Sequence, residues 1–306
     1  MANVTAEMVK DLRDKTGAGM MDCKKALAAS DGDKEAAVDW LRKNGYAKAA
    51  KKAGRVAAEG LIGLAIGGDA GALVEVNSET DFVARNDEFK DFVKRAAKLA
   101  LQEGGDLEKL LAAPMGAASV QQTLTDLIAK IGENMAVRRT IALAVSPGVV
   151  ASYVHNAASP ELGKIGVLVA LKSTADKAKL MELGKKLAMH VAAAAPLALV
   201  PEHLSKDVVE RERAVQADLA RQSGKPENVI EKMLEGRMRK FYEEAVLLHQ
   251  TYVIDGESKI SQVIEQAGKD FGTPVEIAGF VRFLVGEGIE KVNDDFTGEV
   301  GKLTGH

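Results

Sequence analysis

Apolar residues along the chain change their period several times, and each change marks a unit. Over residues 4–45, Met8, Val9 and Leu12, then Cys23, Ala26 and Leu27, then Ala36, Ala37, Trp40 and Leu41 recur at helical spacing. Thr5 is placed to cap the first of these helices, while Thr16-Gly17-Ala18-Gly19, Asp31-Gly32-Asp33 and Asn44-Gly45 interrupt the pattern. Three short helices are expected, a unit too small to bury much surface alone. Residues 46–58 are rich in alanine and lysine with little to bury, and read as a partly helical basic linker jointed at Gly54.

A different pattern then occurs twice. Residues 61–66 and 72–76 are apolar runs of strand length around the turn Gly67-Gly68-Asp69-Ala70-Gly71, followed by a helical stripe of Phe89, Phe92, Val93, Ala96 and Ala100. Residues 152–156 and 165–172 repeat this around a turn at 157–164, followed by a stripe of Leu180, Leu183, Leu187 and Val191. Two hairpin-plus-helix units of similar length predict a duplicated α+β core, with a helix at 120–134 and a strand at 136–145 between them.

Residues 205–241 differ in kind. They read as two helices joined at Gln222-Ser223-Gly224-Lys225-Pro226, where Gly224 suits a left-handed stop and Pro226 a first helical position. Narrow stripes, Val208, Val215 and Leu219 against Val229, Ile230, Met233, Leu234 and Met238, predict an inserted antiparallel coiled-coil hairpin projecting about 27 Å. Residues 247–254 then read as a strand, 260–268 as a helix and 275–285 as a last strand. The expected division is a three-helix bundle (1–45), a basic linker (46–58), a first core subdomain (59–148), a second (149–204 with 242–285), the coiled-coil hairpin (205–241) and a C-terminal helical module (286–306).

A length of 306 residues agrees with two or three domains, and 46% hydrophobic with 28% charged residues is ordinary for a globular chain. Aromatics at 4% predict thin, alanine-rich cores. The net charge of −3 hides an uneven distribution, because residues 1–55 carry an excess of basic groups and the remainder an excess of acidic ones. A basic head on an acidic body points to a polar protein surface and away from a general nucleic-acid binder. Cys23 is the only cysteine, which excludes an intrachain disulfide and paired-cysteine zinc sites. The start lacks the apolar core of a signal peptide, and the longest apolar run, 191–200, is broken by Pro196, so a cytoplasmic location is expected.

A catalytic constellation is not found. There is no Gly-x4-Gly-Lys-Ser/Thr loop, no Gly-x-Gly-x-x-Gly after a strand and no His-Glu-x-x-His. Asp31-Gly32-Asp33-Lys34-Glu35 begins like a calcium loop but has Ala36 where glycine is required. His190 falls near the stripe of Leu183, Leu187 and Val191 and reads as a packed structural histidine, while His203, His249 and His306 have no partner at ligand spacing. Cys23, on a buried face, reads as core.

The strongest functional signal is Glu75-Val76-Asn77-Ser78-Glu79-Thr80-Asp81-Phe82-Val83-Ala84-Arg85. A buried strand ends here in polar turn residues, and Asp81 and Phe82 stand where a helix begins. Two readings are open from the residues alone. Phe82 can pair with the helix bearing Phe89 as a hydrophobic staple while Thr80 and Asp81 cap it; alternatively, the carboxylate and the ring face outward, ready to enter another protein's pocket.

This run resembles the second signature of the bacterial elongation factor Ts family. Leu12-Arg13, Thr16-Gly17, Gly19-Met20, Asp22 and Lys24-Lys25-Ala26-Leu27 resemble the first. Lys130-Ile131-Gly132-Glu133-Asn134, Met189-His190-Val191-Ala192 and Val285-Gly286-Glu287-Gly288 extend the likeness over nearly the whole chain. The resemblance implies a guanine-nucleotide exchange factor, not an enzyme, whose partner is the GTPase elongation factor Tu. It implies a ubiquitin-associated-like head docking on the partner's nucleotide-binding domain, a coiled-coil insertion, and a C-terminal module packing on the same domain. It assigns Thr80, Asp81, Phe82 and Val83 to dislodging the partner's magnesium, and further contacts to Arg13, Met20, Met21, Lys24, Lys52 and His155. It implies no cofactor, no metal and no nucleotide bound by this chain itself. Ser159-Pro160-Glu161-Leu162 depart from the family pattern by lengthening the turn after His155, which otherwise reads as an exposed hairpin histidine. Two alternatives stay open: a scaffold or chaperone-like interaction protein, and a nucleic-acid accessory factor using Lys48, Lys51, Lys52 and Arg55, whose binding would weaken steeply with salt.

Overall fold

The computed structural model describes residues 4–16, 18–222, 224 and 226–290. Residues 291–306 of the expected C-terminal module lie outside the described residues, as do Gly17, Ser223 and Lys225 of the expected turns and the side chain of Lys48.

The chain opens with α1 (Ala6–Thr16), α2 (Met20–Ala29) and α3 (Lys34–Lys52), which close over a small core of Val9, Leu12, Cys23, Ala26, Leu27 and Ala37. The Asp33 side chain accepts the Ala36 N–H at 2.8 Å and starts α3. Asn44 and Gly45 do not end this helix, contrary to the expectation; it continues through most of the basic stretch to Lys52. The reason is packing. A Cβ built on Gly45 would lie 2.9 Å from the Ala129 Cβ, so this glycine lets α3 approach a later helix closely and is not a stop.

Strands β1 (Glu59–Gly67) and β2 (Ala70–Ser78) form the first hairpin, and α4 (Asp87–Gln102) packs on it through Phe89, Phe92, Val93, Ala96 and Ala100. The short α5 (Leu107–Ala112) and α6 (Val120–Ile131) complete the helical layer, and β3 (Met135–Ala144) returns alongside β2. The second hairpin consists of β4 (Gly148–His155) and β6 (Ile165–Lys172), backed by α7 (Lys177–Ala194). Between its strands lies β5 (Leu162–Gly163), which pairs with β1. The lengthened turn is thus an edge strand of the first sheet, further tied by the Leu64 N–H to the Glu161 carbonyl at 2.9 Å. The first sheet has the order β3-β2-β1-β5 and the second β4-β6-β7, where β7 is Glu276–Leu284.

The sheets face each other across Ile62, Leu64 and Leu73 on one side and Val150, Leu168, Ala170 and Phe283 on the other. Helices cover both outer faces. A strand enclosed on two faces needs apolar residues at successive positions, which is why residues 61–66 and 72–74 read as runs without alternation, the second broken only by the buried Glu75.

Helices α8 (Lys206–Arg221) and α9 (Glu227–Ala245) pair as a helical hairpin, with Gly224 at φ +67° between them. Its seam differs from the expected one. Val208, Val215 and Leu219 face outward, while Val209, Gln216 and Ala220 face α9, where Ile230 and Met238 are buried. Arg237 Nη1 donates to Gln216 Oε1 at 2.9 Å across the seam. Residues 247–254 are not a strand. A 3-10 turn, Leu247–His249, drops Leu247 into the second core, and the Gln250 side chain satisfies the backbone that a ladder would have served. Its amide donates to the carbonyls of Ala194 and Glu244, and its oxygen lies 2.8 Å from His190 Nε2. Helix α10 (Ile260–Phe271) leads into β7. Among the described residues no helix is long and apolar enough to cross a membrane.

Candidate functional site

Strand β2 delivers the chain at Ser78 to a turn whose two ends are anchored differently. On the far side, Val83–Arg85 form a 3-10 turn with Val83 and Ala84 buried in the first core, and Asn86 caps α4 by accepting the Glu88 and Phe89 N–H groups at 2.9 and 3.1 Å. The cap is therefore Asn86, and not Thr80 or Asp81. Phe89 is fully buried, whereas Phe82 is 74% exposed. A hydrophobic staple between them is not what this geometry contains.

On the near side, the turn is held by the loop after α6. Thr80 donates its N–H to Glu133 Oε2 at 3.0 Å and its hydroxyl to Glu133 Oε1 at 2.7 Å, and its carbonyl accepts the Ser78 hydroxyl at 2.9 Å. The Glu79 carboxylate accepts the Asn134 N–H and pairs with Arg55 at 3.5 Å. Asn134 Nδ2 donates to the Arg55 carbonyl at 2.7 Å. Within the turn, Arg85 Nη2 donates to Asp81 Oδ2 at 3.0 Å, and its guanidinium carbon stands 5.9 Å from the centroid of the Phe82 ring. The result is an aromatic ring and a half-exposed carboxylate held outward on a braced turn.

Glu75, in the same sequence run, points the other way. It is fully buried and receives Asn77 Nδ2 at 3.0 Å, Arg138 Nη1 at 3.1 Å, Arg139 Nε at 2.5 Å and the Gly286 N–H at 2.8 Å. Burial pushes its carboxyl up, but the Gly286 N–H, the Asn77 amide and the Arg139 guanidinium together outweigh burial and hold it below the usual carboxylate range. Arg138 and Arg139 also bond the carbonyls of Glu287 and Leu284, so the segment leaving β7 is clasped to β2.

The remaining sequence-predicted residues lie on separate elements. Arg13 is exposed on α1, and Met20, Met21 and Lys24 are exposed on α2, with Met20 at 45% and Met21 at 65%. Lys52 turns inward at the end of α3, where its ammonium bonds the Gly132 carbonyl just past α6. His155 is exposed at the end of β4, with Nδ1 3.2 Å from the Tyr153 hydroxyl.

The other histidine and thiol of chemical interest are internal. His190 is fully buried between Gln250 and the Val253 N–H, which lies 3.2 Å from Nδ1, and burial lowers its pKa despite the Gln250 bond. Burial raises that of Cys23. Among the described residues no group of three His, Cys, Asp or Glu side chains is placed to hold a metal ion. The site residues that sequence reasoning missed are Glu79, Glu133 and Asn134. Glu133 and Asn134 fell in a stretch singled out only for its likeness, and a bond spanning 53 positions leaves no local pattern.

Fold and site define the class: an α+β protein that presents an aromatic ring and a carboxylate outward on a braced turn. Comparison with known proteins gives the family. The family model described as "Elongation factor TS" matches residues 79–287. The chain is 58% identical to elongation factor Ts of Rhodospirillum centenum over the full length of both. It is 60% identical to that of Rhodospirillum rubrum over 98% of each chain, and 59% identical to that of Paramagnetospirillum magneticum over all of this chain and 98% of the other. The chain belongs to the elongation factor Ts family, and its role is in translation elongation.

Proposed function

We propose that this chain accelerates release of guanine nucleotide from the GTPase elongation factor Tu, with Phe82 as the inserting group. The observation that carries this reading is the 74% exposure of Phe82 on a turn whose neighbouring polar groups are bound within the chain. A large ring held outward on a braced turn offers apolar area, already fixed in direction, that a partner gains by covering.

Nucleotide in such a GTPase is held by a phosphate loop and a magnesium ion. Ten-thousandfold faster release requires lowering the barrier by about 5.5 kcal/mol. Burial of one phenylalanine supplies roughly 1.5–3 kcal/mol. The ring therefore accounts for one or two factors of ten, and the rest comes from a wide contact satisfied only when the nucleotide site is distorted. In this reading Phe82 parts the elements supporting the partner's magnesium site and Asp81 offers a competing acceptor there. Thr80 and Val83 keep the turn in shape, one through Glu133 and the other through the core.

Arg13, Met20, Met21 and Lys24 on the ubiquitin-associated-like head form a second contact, on the partner's nucleotide-binding domain, and His155 a third. Lys52 serves from inside, holding α3 to the end of α6. The C-terminal module, which begins at residue 286, packs on the same partner domain as the head. By linkage, nucleotide weakens the factor as much as the factor weakens nucleotide, so incoming GTP expels it.

The test is release of fluorescent GDP from preloaded elongation factor Tu. Phe82→Ala should slow factor-stimulated release by about tenfold to a hundredfold, with the far-UV spectrum and melting of the factor unchanged. Release at the unmodified rate from a folded variant would overturn the assignment of Phe82.

A further inference from the structure

Among the described residues, the side-chain bonds that reach the Phe82 turn from outside it come from few places. Glu133 takes both Thr80 donors, and Arg55 and the Asn134 backbone hold Glu79. The Asp81–Arg85 pair is internal to the turn and cannot place it relative to the core. From these bonds we infer that Glu133 is a positioning residue for exchange, acting through Thr80 to set the direction in which Phe82 projects. This rests on the assignment of Phe82 made above.

Two features make the grip directional. Both carboxylate oxygens are used, one on the Thr80 N–H and one on its hydroxyl, and a two-point contact fixes rotation as well as distance. Thr80 is two residues before Phe82, so any twist of its peptide is passed to the ring. Glu133 is itself immobilised by its neighbours. The Gly132 carbonyl takes the Lys52 ammonium, and Asn134 bonds both Glu79 and the Arg55 carbonyl. Gly132 has a φ of +89°, the left-handed conformation that ends α6 and turns the chain toward the turn.

The same bonds contribute little to global stability. Glu133 and Thr80 are only half-buried, and the groups freed by removing Glu133 can find water. What is lost is the fixed geometry of the turn, which costs transition-state contact and leaves the factor folded.

A double-mutant cycle on the full chain decides this, with fluorescent-GDP release from elongation factor Tu as readout and both the maximal rate and the half-saturating factor concentration measured. Glu133→Ala should lower the maximal rate about tenfold, the scale of about 1.4 kcal/mol, with the melting midpoint near that of the unmodified factor. Glu133→Gln, which can still accept the N–H and donate to the hydroxyl oxygen, should restore most of the rate. Thr80→Val, which removes only the hydroxyl half of the grip, should fall between them. In the Phe82→Ala background, Glu133→Ala should change the rate by less than about twofold, because its path of action is already gone. Equal losses in both backgrounds would show that Glu133 does not act through Phe82, and an unchanged rate for Glu133→Ala with Phe82→Ala slow would overturn this inference alone. A normal rate for Phe82→Ala itself would overturn the assignment of the ring and this inference with it.

Discussion

Replacing Glu75 by alanine removes the acceptor on which four donor groups converge, from Asn77, Arg138, Arg139 and Gly286. Breaking one side of a buried charged cluster commonly costs about 3–5 kcal/mol. Here the side chains of Arg138 and Arg139 are 29% and 31% exposed and can turn partly to solvent, so the lower end applies, about 3 kcal/mol, or roughly two powers of ten in the folding equilibrium. Glu75→Gln keeps the shape and one acceptor oxygen but points an amide donor at other donors, and should cost about half as much. Denaturant titration of each variant reads the loss, and hydrogen exchange at the Gly286 N–H reports whether the segment after β7 has come free. The charge adds a pH signature. The folded-state pKa of Glu75 is lowered, so the unfolded chain binds more protons and stability rises with pH. That contribution is complete above the ordinary carboxylate value of about 4.3 and is lost as pH falls through the lowered one. Glu75→Gln should remove this part of the acid sensitivity. A loss below about 0.5 kcal/mol for Glu75→Ala, with slow exchange retained at Gly286, would refute the view that the clasp is structural.

Two further outcomes follow from packing and protonation. His190 is buried with a lowered pKa, so the stability it contributes is complete above about pH 6.5 and is lost as pH falls through its lowered value, with a slope of at most about 1.4 kcal/mol per pH unit; denaturation midpoints between pH 7 and 5 should show this slope, and His190→Gln should flatten it. Gly45→Ala gains helix propensity of about 1 kcal/mol but forces α3 from α6, a cost of about 1–3 kcal/mol; thermal melting should show no gain, while adding Ala129→Gly to Gly45→Ala should bring the midpoint back to near that of the unmodified chain, because the glycine placed in α6 costs about what the alanine gains in α3.

Much of the fold was legible because its strongest elements carry undiluted periods. The stripe Phe89, Phe92, Val93, Ala96 and Ala100 on α4 and the apolar runs of β1 and β2 appear where the pattern puts them. The misreadings share a cause, which is that a local signal has two tertiary uses. Glycine at position 45 marks a helix end as readily as a close helix contact, and only Ala129 decides between them. On α8, the set Val208, Val215, Leu219 and the set Val209, Gln216, Ala220 have identical spacing one residue apart. Hydrophobicity favours the first, but the Gln216–Arg237 bond and the small Ala220 belong to the second. Residues 247–254 have strand-like composition, yet the Gln250 side chain makes the bonds a neighbouring strand would have made.

The site divides in the same way. The polar run ending a buried strand, and the ring within it, are visible in the sequence. Whether Phe82 packs inward on Phe89 or stands outward depends on Asn86 taking the cap and Glu133 taking Thr80, and neither bond is written in the local pattern.

Incorporating 4-fluorophenylalanine at position 82 of the full chain and recording its fluorine resonance on addition of nucleotide-free elongation factor Tu tests the central claim most directly. Entry of the ring into the partner predicts a shifted, broadened signal that is protected from a soluble paramagnetic quencher and returns to the free position when GTP is added. A resonance that keeps its free position and its full sensitivity to the quencher in the complex would contradict it.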